Sequence, residues 1–377
     1  MASLSSLPTV SEDAPLQSTS APPFDVIQYY SQLQGKDDPM PAPVAAVETL
    51  AELVSRSDSS TIQELLALLR SASSQLAAAS FNPVSCTSGT AFFMRYLTLQ
   101  RPPPEMSFRE FKGELVAKAR EFVKGSGKCR ELIAVDMSDF VQDGSASPIS
   151  ELLPEDPADR TLEQTLLVHS YSRVVVQALL YAAQEQKKRF QVYVTESRPF
   201  GLGLKTHAIL TAAGIPTQVI LDSAVAYIMP KCDLAVVGAE AVCESGGLVN
   251  FIGGYQMAIA AKAMGKPLYA LAESFKFTRL FPLSQYDLPS SLPSAPLTFP
   301  APIDATSLKS NSVPPTPSRP MIDSKMPEAL EMSDAATRHN PTLDYTTPDL
   351  ITLILSDLGT MTPSGVSDCL LQIFGGE

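Results

Sequence analysis

Histidine is scarce in this chain of 377 residues: only His169, His207 and His339 occur. So few imidazoles, so widely spaced, argue against a histidine-rich metal centre. The five cysteines, Cys86, Cys129, Cys232, Cys243 and Cys369, form no C-x-x-C pair. That spacing offers no zinc site, and an odd, scattered set without a secretory signal fits reduced thiols, hence a cytosolic protein. No apolar run is long enough to cross a membrane. Positive charge is also in deficit, with 28 Lys and Arg against 40 Asp and Glu and a net charge of -12. Nonspecific nucleic-acid binding needs a basic face to neutralise phosphates, so that class is disfavoured. A local basic patch for a phosphorylated ligand or partner remains compatible with the balance.

What is present is enough apolar material, 45% of residues, to bury a sizeable core in two domains. Residues 1–22 lack arginine and carry Ser, Pro and acidic residues; they read as a disordered tail. From Phe24 the apolar spacing turns helical. Val44, Val47, Leu50, Ala51 and Val54 share one face, as do Ile62, Leu65, Leu66, Leu69 and Ala72 behind an N-cap at Ser60 or Thr61, with Glu64 as the capping-box acid. Phe108, Phe111, Leu115 and Ala119 continue the pattern. Residues 23–142 are expected to form an all-helical domain of five or six helices, and 143–163 an acidic loop.

Residues 164–287 change grammar. Short apolar runs at Thr165–Val168, Phe190–Thr195, Gln218–Leu221, Leu234–Val237 and Leu268–Leu271 alternate with helical stretches at 171–186, 204–213 and 255–264. The second helix stops at Gly214 with Pro216 beyond, and the third at Gly265, which are ordinary stop signals. The expected fold class is α/β: an N-terminal all-helical domain, then a Rossmann-like parallel-sheet domain. In such sheets the loops at the carboxyl ends of the strands surround a crevice. Residues 288–340 are proline-rich and are expected to be a disordered insertion. Residues 341–377 are expected to close the α/β domain with helices at 348–357 and 363–374.

Several segments in order carry a family likeness: Thr195–Pro199 (TESRP), Leu221–Met229 (LDSAVAYIM), Val237–Ala241 (VGAEA), Glu244–Ile252 (ESGGLVNFI), Ala272–Asp287 (AESFKFTRLFPLSQYD) and Tyr345–Pro363 (YTTPDLITLILSDLGTMTP). Together they resemble the alpha/beta/delta subunit family of eukaryotic translation initiation factor 2B. The ESFKF, RLFPL and His169–Ser172 (HSYS) segments lean towards its alpha branch; a beta or delta paralogue is the alternative within the family. The resemblance implies a non-catalytic regulatory subunit of a guanine-nucleotide exchange factor, pairing with itself through the α/β domain. The implied partners are the beta, gamma, delta and epsilon subunits and the phosphorylated alpha subunit of initiation factor 2, with no direct contact to nucleic acid or membrane. No cofactor is required by this reading; a sugar phosphate or nucleotide is the expected ligand of the crevice.

The same fold is similar to methylthioribose-1-phosphate and ribose-1,5-bisphosphate isomerases, which implies sugar-phosphate isomerisation as the rival activity. Those enzymes shift a proton with a thiol and an acid. Their cysteine loop corresponds here to His169-Ser170-Tyr171-Ser172, their glutamine to Leu202 and their lysine to Phe251, while the acid position holds Glu240. Loss of thiol, amide and amine together argues that isomerisation is gone. The expected ligand pocket consists of His169, Arg198, Gly203, Lys205, Asp222, Glu240 and Asn250, with Arg198 as phosphate fork and Gly203 opening a helix N-terminus. Blander roles stand beside these: Arg198 paired with Glu196 or Asp222, Glu240 as a cap, His169 as a hydrogen-bonded loop residue, and Cys232 and Cys243 as inert core thiols. For the phosphorylated partner the candidates are Arg70, Arg95, Lys118 and Arg120. The apolar run Phe275–Leu283 is the expected self-association surface.

Overall fold

A computed structural model describes residues 24–35, 40–80, 82–100, 105–143, 164–288 and 341–374. The expected tail (1–22) and nearly all of the acidic loop (143–163) and of the proline-rich insertion (288–340) lie outside the described residues.

The helical part consists, among the described residues, of α1 (Val26–Gln34), α2 (Ala42–Arg56), α3 (Ile62–Ala79), α4 (Pro83–Leu99) and α5 (Phe108–Ser138). Their starts follow from capping chemistry. Asp25 accepts from the Ile27 and Gln28 amides, and Thr61 Oγ1 accepts from the Glu64 amide while Glu64 Oε2 takes the Ser60 amide. Ser107 and Glu110 close a reciprocal capping box on α5. The predicted apolar stripes of α2 and α3 form the core: Leu50, Val54, Leu65 and Leu69 are fully buried together with Phe93, Phe111 and Leu115.

The second body is a seven-stranded sheet in the order β11-β10-β7-β4-β1-β2-β3. Its strands are β1 (Gln164–Val168), β2 (Phe190–Thr195), β3 (Thr217–Ile220), β4 (Leu234–Gly238), β7 (Leu268–Leu271), β10 (Leu353–Ser356) and β11 (Gly359–Met361), all parallel except β11. Helices α6 (Arg173–Gln184) and α7 (Gly203–Ala212) cover one face. The other is covered by α8 (Val225–Ile228), α9 (Gly254–Ala263) and α10 (Val366–Phe374). From β1 the chain steps outward to β2 and β3, then returns to β4 on the opposite side of β1. The carboxyl ends of β1 and β4 therefore flank a topological switch point, where open α/β sheets hold ligands.

One expectation needs correction, and two further features of the fold were not expected. The segment 348–357 is not a helix: after one 3-10 turn at Pro348–Leu350 it runs as β10, registered on Tyr269–Leu271 of β7. Its apolar run LILS is buried between two neighbours, and burial on both faces erases the alternation that would have marked a strand. A second sheet, β8-β5-β6-β9, went unpredicted. Its strands β5 (Ala241–Cys243), β6 (Leu248–Phe251), β8 (Phe277–Thr278) and β9 (Leu343–Thr346) have two to four residues each, and two of its three pairings join segments distant in sequence. Finally, the helical domain does not end cleanly at 142. Ile133, Ala134 and Met137 of α5 belong to the core that α6 forms on the sheet.

Candidate functional site

A cleft of about 630 Å³ opens at the switch point, between the sheet and the helical domain. Its floor is the loop after β1 (His169–Arg173) and the loop after β4 (Ala239, Glu240), with Asn250 and Phe251 of β6 beside them. Lys205 of α7 and Lys276 stand on its walls. Tyr30, Ser31 and Gln34 of α1, and Ser80 and Asn82 before α4, form the opposite wall.

Four of the predicted pocket residues, His169, Lys205, Glu240 and Asn250, line this cleft. His169 is buried. Its Nδ1 is 2.8 Å from Thr195 Oγ1 and its Nε2 is 3.2 Å from the Phe251 carbonyl. A carbonyl only accepts, so Nε2 carries the proton, and the Thr195 hydroxyl donates to Nδ1 while accepting from the Ser170 amide. Burial depresses the imidazole pKa, keeping the ring neutral. His169 is thus a structural strut of the floor. Asn250 is likewise committed, donating to Gly238 O at 2.8 Å and accepting from the Phe251 amide. Glu240 Oε2 accepts from Asn82 Nδ2 at 2.7 Å, and Asn82 Oδ1 caps α4 through the Ser85 amide. One asparagine therefore ties the helical domain to the mouth of the cleft. Lys205 is exposed, with Nζ 4.2 Å from the centroid of the Tyr171 ring.

Arg198, Gly203 and Asp222 fall outside the lining. The Asp222 carboxylate accepts from the Ser197 and Arg198 amides, so it holds the turn after β2 in shape. Arg198 itself is exposed. The Gly203 amide donates to the Glu196 carbonyl, and a Cβ at this position would meet Thr195 O at 1.8 Å. Gly203 lets α7 pack on β2; it presents no free amide to an anion. The helix N-terminus that does face the cleft is that of α6, where Ser172 makes no side-chain cap and Ser170–Arg173 line the wall. The positive end of a helix favours negative charge. Arg173, Lys205 and Lys276 outnumber Glu240 as charged lining groups. No cysteine is among the residues that line the cleft. Burial pushes the Cys232 and Cys243 thiols up to about 12, so both stay protonated in the core.

Sequence reasoning missed the helical-domain wall, because nothing local in Tyr30 or Asn82 announces a partner some 140 to 160 residues away. It also passed over Lys276 and Asp344. Asp344 on β9 accepts from the Gly253 and Tyr255 amides at the start of α9 at 2.7 and 2.9 Å, while its Oδ1 is buried with no hydrogen-bond partner. Burial raises this carboxyl to about 7 despite those amides. The folded chain therefore holds this proton more tightly than the unfolded chain, whose ordinary value is 3.8. The stabilisation is complete below about pH 4 and is lost as pH rises through about 7. His169 acts with opposite sign: its depressed pKa costs stability as pH falls below the ordinary imidazole range. Comparing wild type with Asp344→Asn in urea unfolding at pH 5, 6.5 and 8 isolates the carboxyl. The wild type should lose stability relative to the variant by up to ~1.4 kcal/mol per pH unit across that window. Parallel pH profiles would refute the assignment.

The partner-binding candidates lie on three helices, α3, α4 and α5. Arg70 is exposed on α3, and Arg95 on α4 buries its Nε without a hydrogen-bond partner. On α5, Lys118 pairs with Glu121 at 3.2 Å and Arg120 with Glu52 at 2.9 Å. The Phe275–Leu283 run is split. Phe275 and Phe277 are core, whereas Phe281, Leu283 and nearby Tyr286 are 59%, 83% and 96% exposed. Among the described residues no helix is long and apolar enough to cross a membrane, and no cluster of His, Cys, Asp or Glu could hold a metal ion.

The model of the Initiation factor 2 subunit family matches residues 37–363. The chain is 35% identical over 353 residues to translation initiation factor eIF2B subunit alpha of Dictyostelium discoideum, covering 93% of this chain and 97% of that protein. It is 28% identical over 233 residues to a ribose 1,5-bisphosphate isomerase of Methanocaldococcus jannaschii, covering 62% and 66%. In fold it is similar to a chain of the tetrameric eIF2B-beta2-delta2 complex from C. thermophilum, with a TM-score of 0.60, 20% identity and coverage of 92% and 93%.

Proposed function

Because this chain belongs to the Initiation factor 2 subunit family, we propose that it is the regulatory alpha-type subunit of the exchange factor for translation initiation factor 2. In this role it pairs with itself, bridges the beta, gamma, delta and epsilon subunits, and distinguishes the phosphorylated alpha subunit of initiation factor 2. The observation that carries the reading is the end-to-end similarity to an eIF2B alpha subunit. The test is reconstitution with the other four subunits. Nucleotide release from initiation factor 2 should be slowed by the phosphorylated form when this chain is present, and charge reversal at Arg70 and Lys118 should weaken that response while leaving assembly intact. Failure to enter the complex would overturn the role. Unchanged discrimination would move sensing to other subunits.

Self-pairing is supported by Phe281, Leu283 and Tyr286, a run of large apolar side chains left in water next to β8. Phe281→Asp with Leu283→Asp should convert a dimer to a monomer in light scattering at micromolar concentration. A wild-type monomer mass would defeat self-pairing.

The cleft, in this reading, binds a sugar phosphate or nucleotide without turning it over. The basic lining and the α6 N-terminus support anion binding, and the absence of a thiol from the lining speaks against the isomerase chemistry. Lys205→Ala should weaken binding of pentose phosphates, hexose phosphates or AMP about tenfold or more in calorimetry, the scale of one lost charged hydrogen bond. Equal heats for wild type and variant would exclude Lys205, and turnover of ribose 1,5-bisphosphate would overturn the non-catalytic reading.

A further inference from the structure

We propose that the middle of α5, Gly125-Ser126-Gly127, is a hinge that lets the helical domain swing on the α/β domain and so opens and closes the cleft between them. The inference is independent of what fills the cleft. Helix α5 runs unbroken from Phe108 to Ser138 and serves two cores. Phe111, Leu115, Val116 and Ala119 belong to the helical-domain core; Ile133, Ala134 and Met137 belong to the core on the sheet. No residue between Ala119 and Ile133 is fully buried. That bridge is about 20 Å long at the rise of an α-helix.

In its middle stand two of the least helix-favouring residues. A Cβ at Gly125 or Gly127 would meet nothing within 4 Å. No close approach requires glycine there, and both keep ordinary negative φ. Each nevertheless weakens the helix relative to alanine. Between them Ser126 Oγ donates to the Val123 carbonyl at 2.8 Å. Such back-bonding competes with the helical ladder and bends helices, and glycine–serine pairs are recurrent kink sites. The two bodies also dock through Asn82 on Glu240, Val84 among Ala241, Cys243 and Val249, and Phe122 of α5 edge-on to Phe275 at 6.0 Å. A bend at 125–127 with a pivot at the start of α4 moves Tyr30, Ser31 and Gln34 relative to the floor of the cleft. This is a hinge in the usual sense, a few small residues absorbing the backbone change between two rigid bodies.

The test uses the full chain with Cys129→Ser and paired spin labels. One pair crosses the hinge, at Ser74→Cys and Lys231→Cys. A control pair lies within the α/β body, at Gln186→Cys and Lys231→Cys. The crossing pair should show a broader distance distribution than the control. Gly125→Ala with Gly127→Ala should narrow it to the control width and slow hydrogen exchange of amides 125–130 by roughly tenfold or more, the scale of two glycine-to-alanine exchanges in a helix. Ser126→Gly should broaden it. A crossing pair already as narrow as the control, or a width that neither variant changes, would overturn the proposal.

Discussion

Replacing Glu273 by alanine should destabilise this chain by about 3–5 kcal/mol, the usual cost of leaving one partner of a buried ion pair alone. Glu273 is almost wholly buried, and Lys276 Nζ lies 3.0 Å from its Oε2 while aiming a hydrogen bond at the Ala239 carbonyl, 2.8 Å away. The carboxylate is thus held by charge rather than by an aligned hydrogen bond. Burial alone would raise its pKa, but the Lys276 ammonium, a backbone amide and the Arg130 charge outweigh it and keep the carboxyl below its usual value. Urea unfolding of Glu273→Ala, Lys276→Met and the double variant measures the coupling. The double variant should recover more than half of the loss, because an apolar replacement of both charges removes the stranded ammonium. Since Lys276 also faces the cleft, Glu273→Ala should tighten anion binding while it weakens the fold. A single-variant cost below ~1 kcal/mol would contradict the ion-pair account.

Gly203→Ala should cost about 3 kcal/mol or more, at or beyond the top of the ordinary range for overpacking. The added methyl would meet Thr195 O at 1.8 Å and Glu196 Cα at 3.1 Å, both backbone atoms of the strand end and loop that α7 sits on. No flexible side chain can move aside. Helix α7 must lift from β2, which disturbs Thr195 and with it the His169 strut. Gly113→Ala on α5, where a Cβ meets nothing within 4 Å, should instead stabilise by up to ~1 kcal/mol. Measuring both by urea unfolding separates close packing from helix propensity. Similar effects of the two substitutions would refute the packing role.

These glycines illustrate where sequence reading reaches and where it stops. The residue type at 203 is compatible with an anion-binding helix start and with tight packing; only the position of Thr195 O decides between them. The same holds for Phe275–Leu283. As a run it is apolar throughout, yet β8 pairing on β5 takes Phe277 into the core while Phe281 and Leu283 remain outside.

By itself the sequence determined what local physics controls. The 3.6-residue spacing of Leu50, Val54, Leu65 and Leu69 made α2 and α3 and their buried faces. Short apolar runs bounded by Gly and Pro placed β1, β2, β4 and β7, and so put His169 and Glu240 on the loops at their carboxyl ends. Ordered motifs along the chain gave the family. Tertiary structure alone decided what depends on distant segments meeting. It made a second sheet from strands too short to carry a period, and it turned 353–356 into a strand by burying it beside β7. It closed the cleft with Tyr30 and Asn82 from the other domain, assigned Asp222 to a turn, and ran α5 through two cores. Periodicity and capping are nearest-neighbour effects written along the chain. Pairing register, close backbone approach and the sharing of a cleft between domains are set by which surfaces come together, and no window of sequence contains both surfaces.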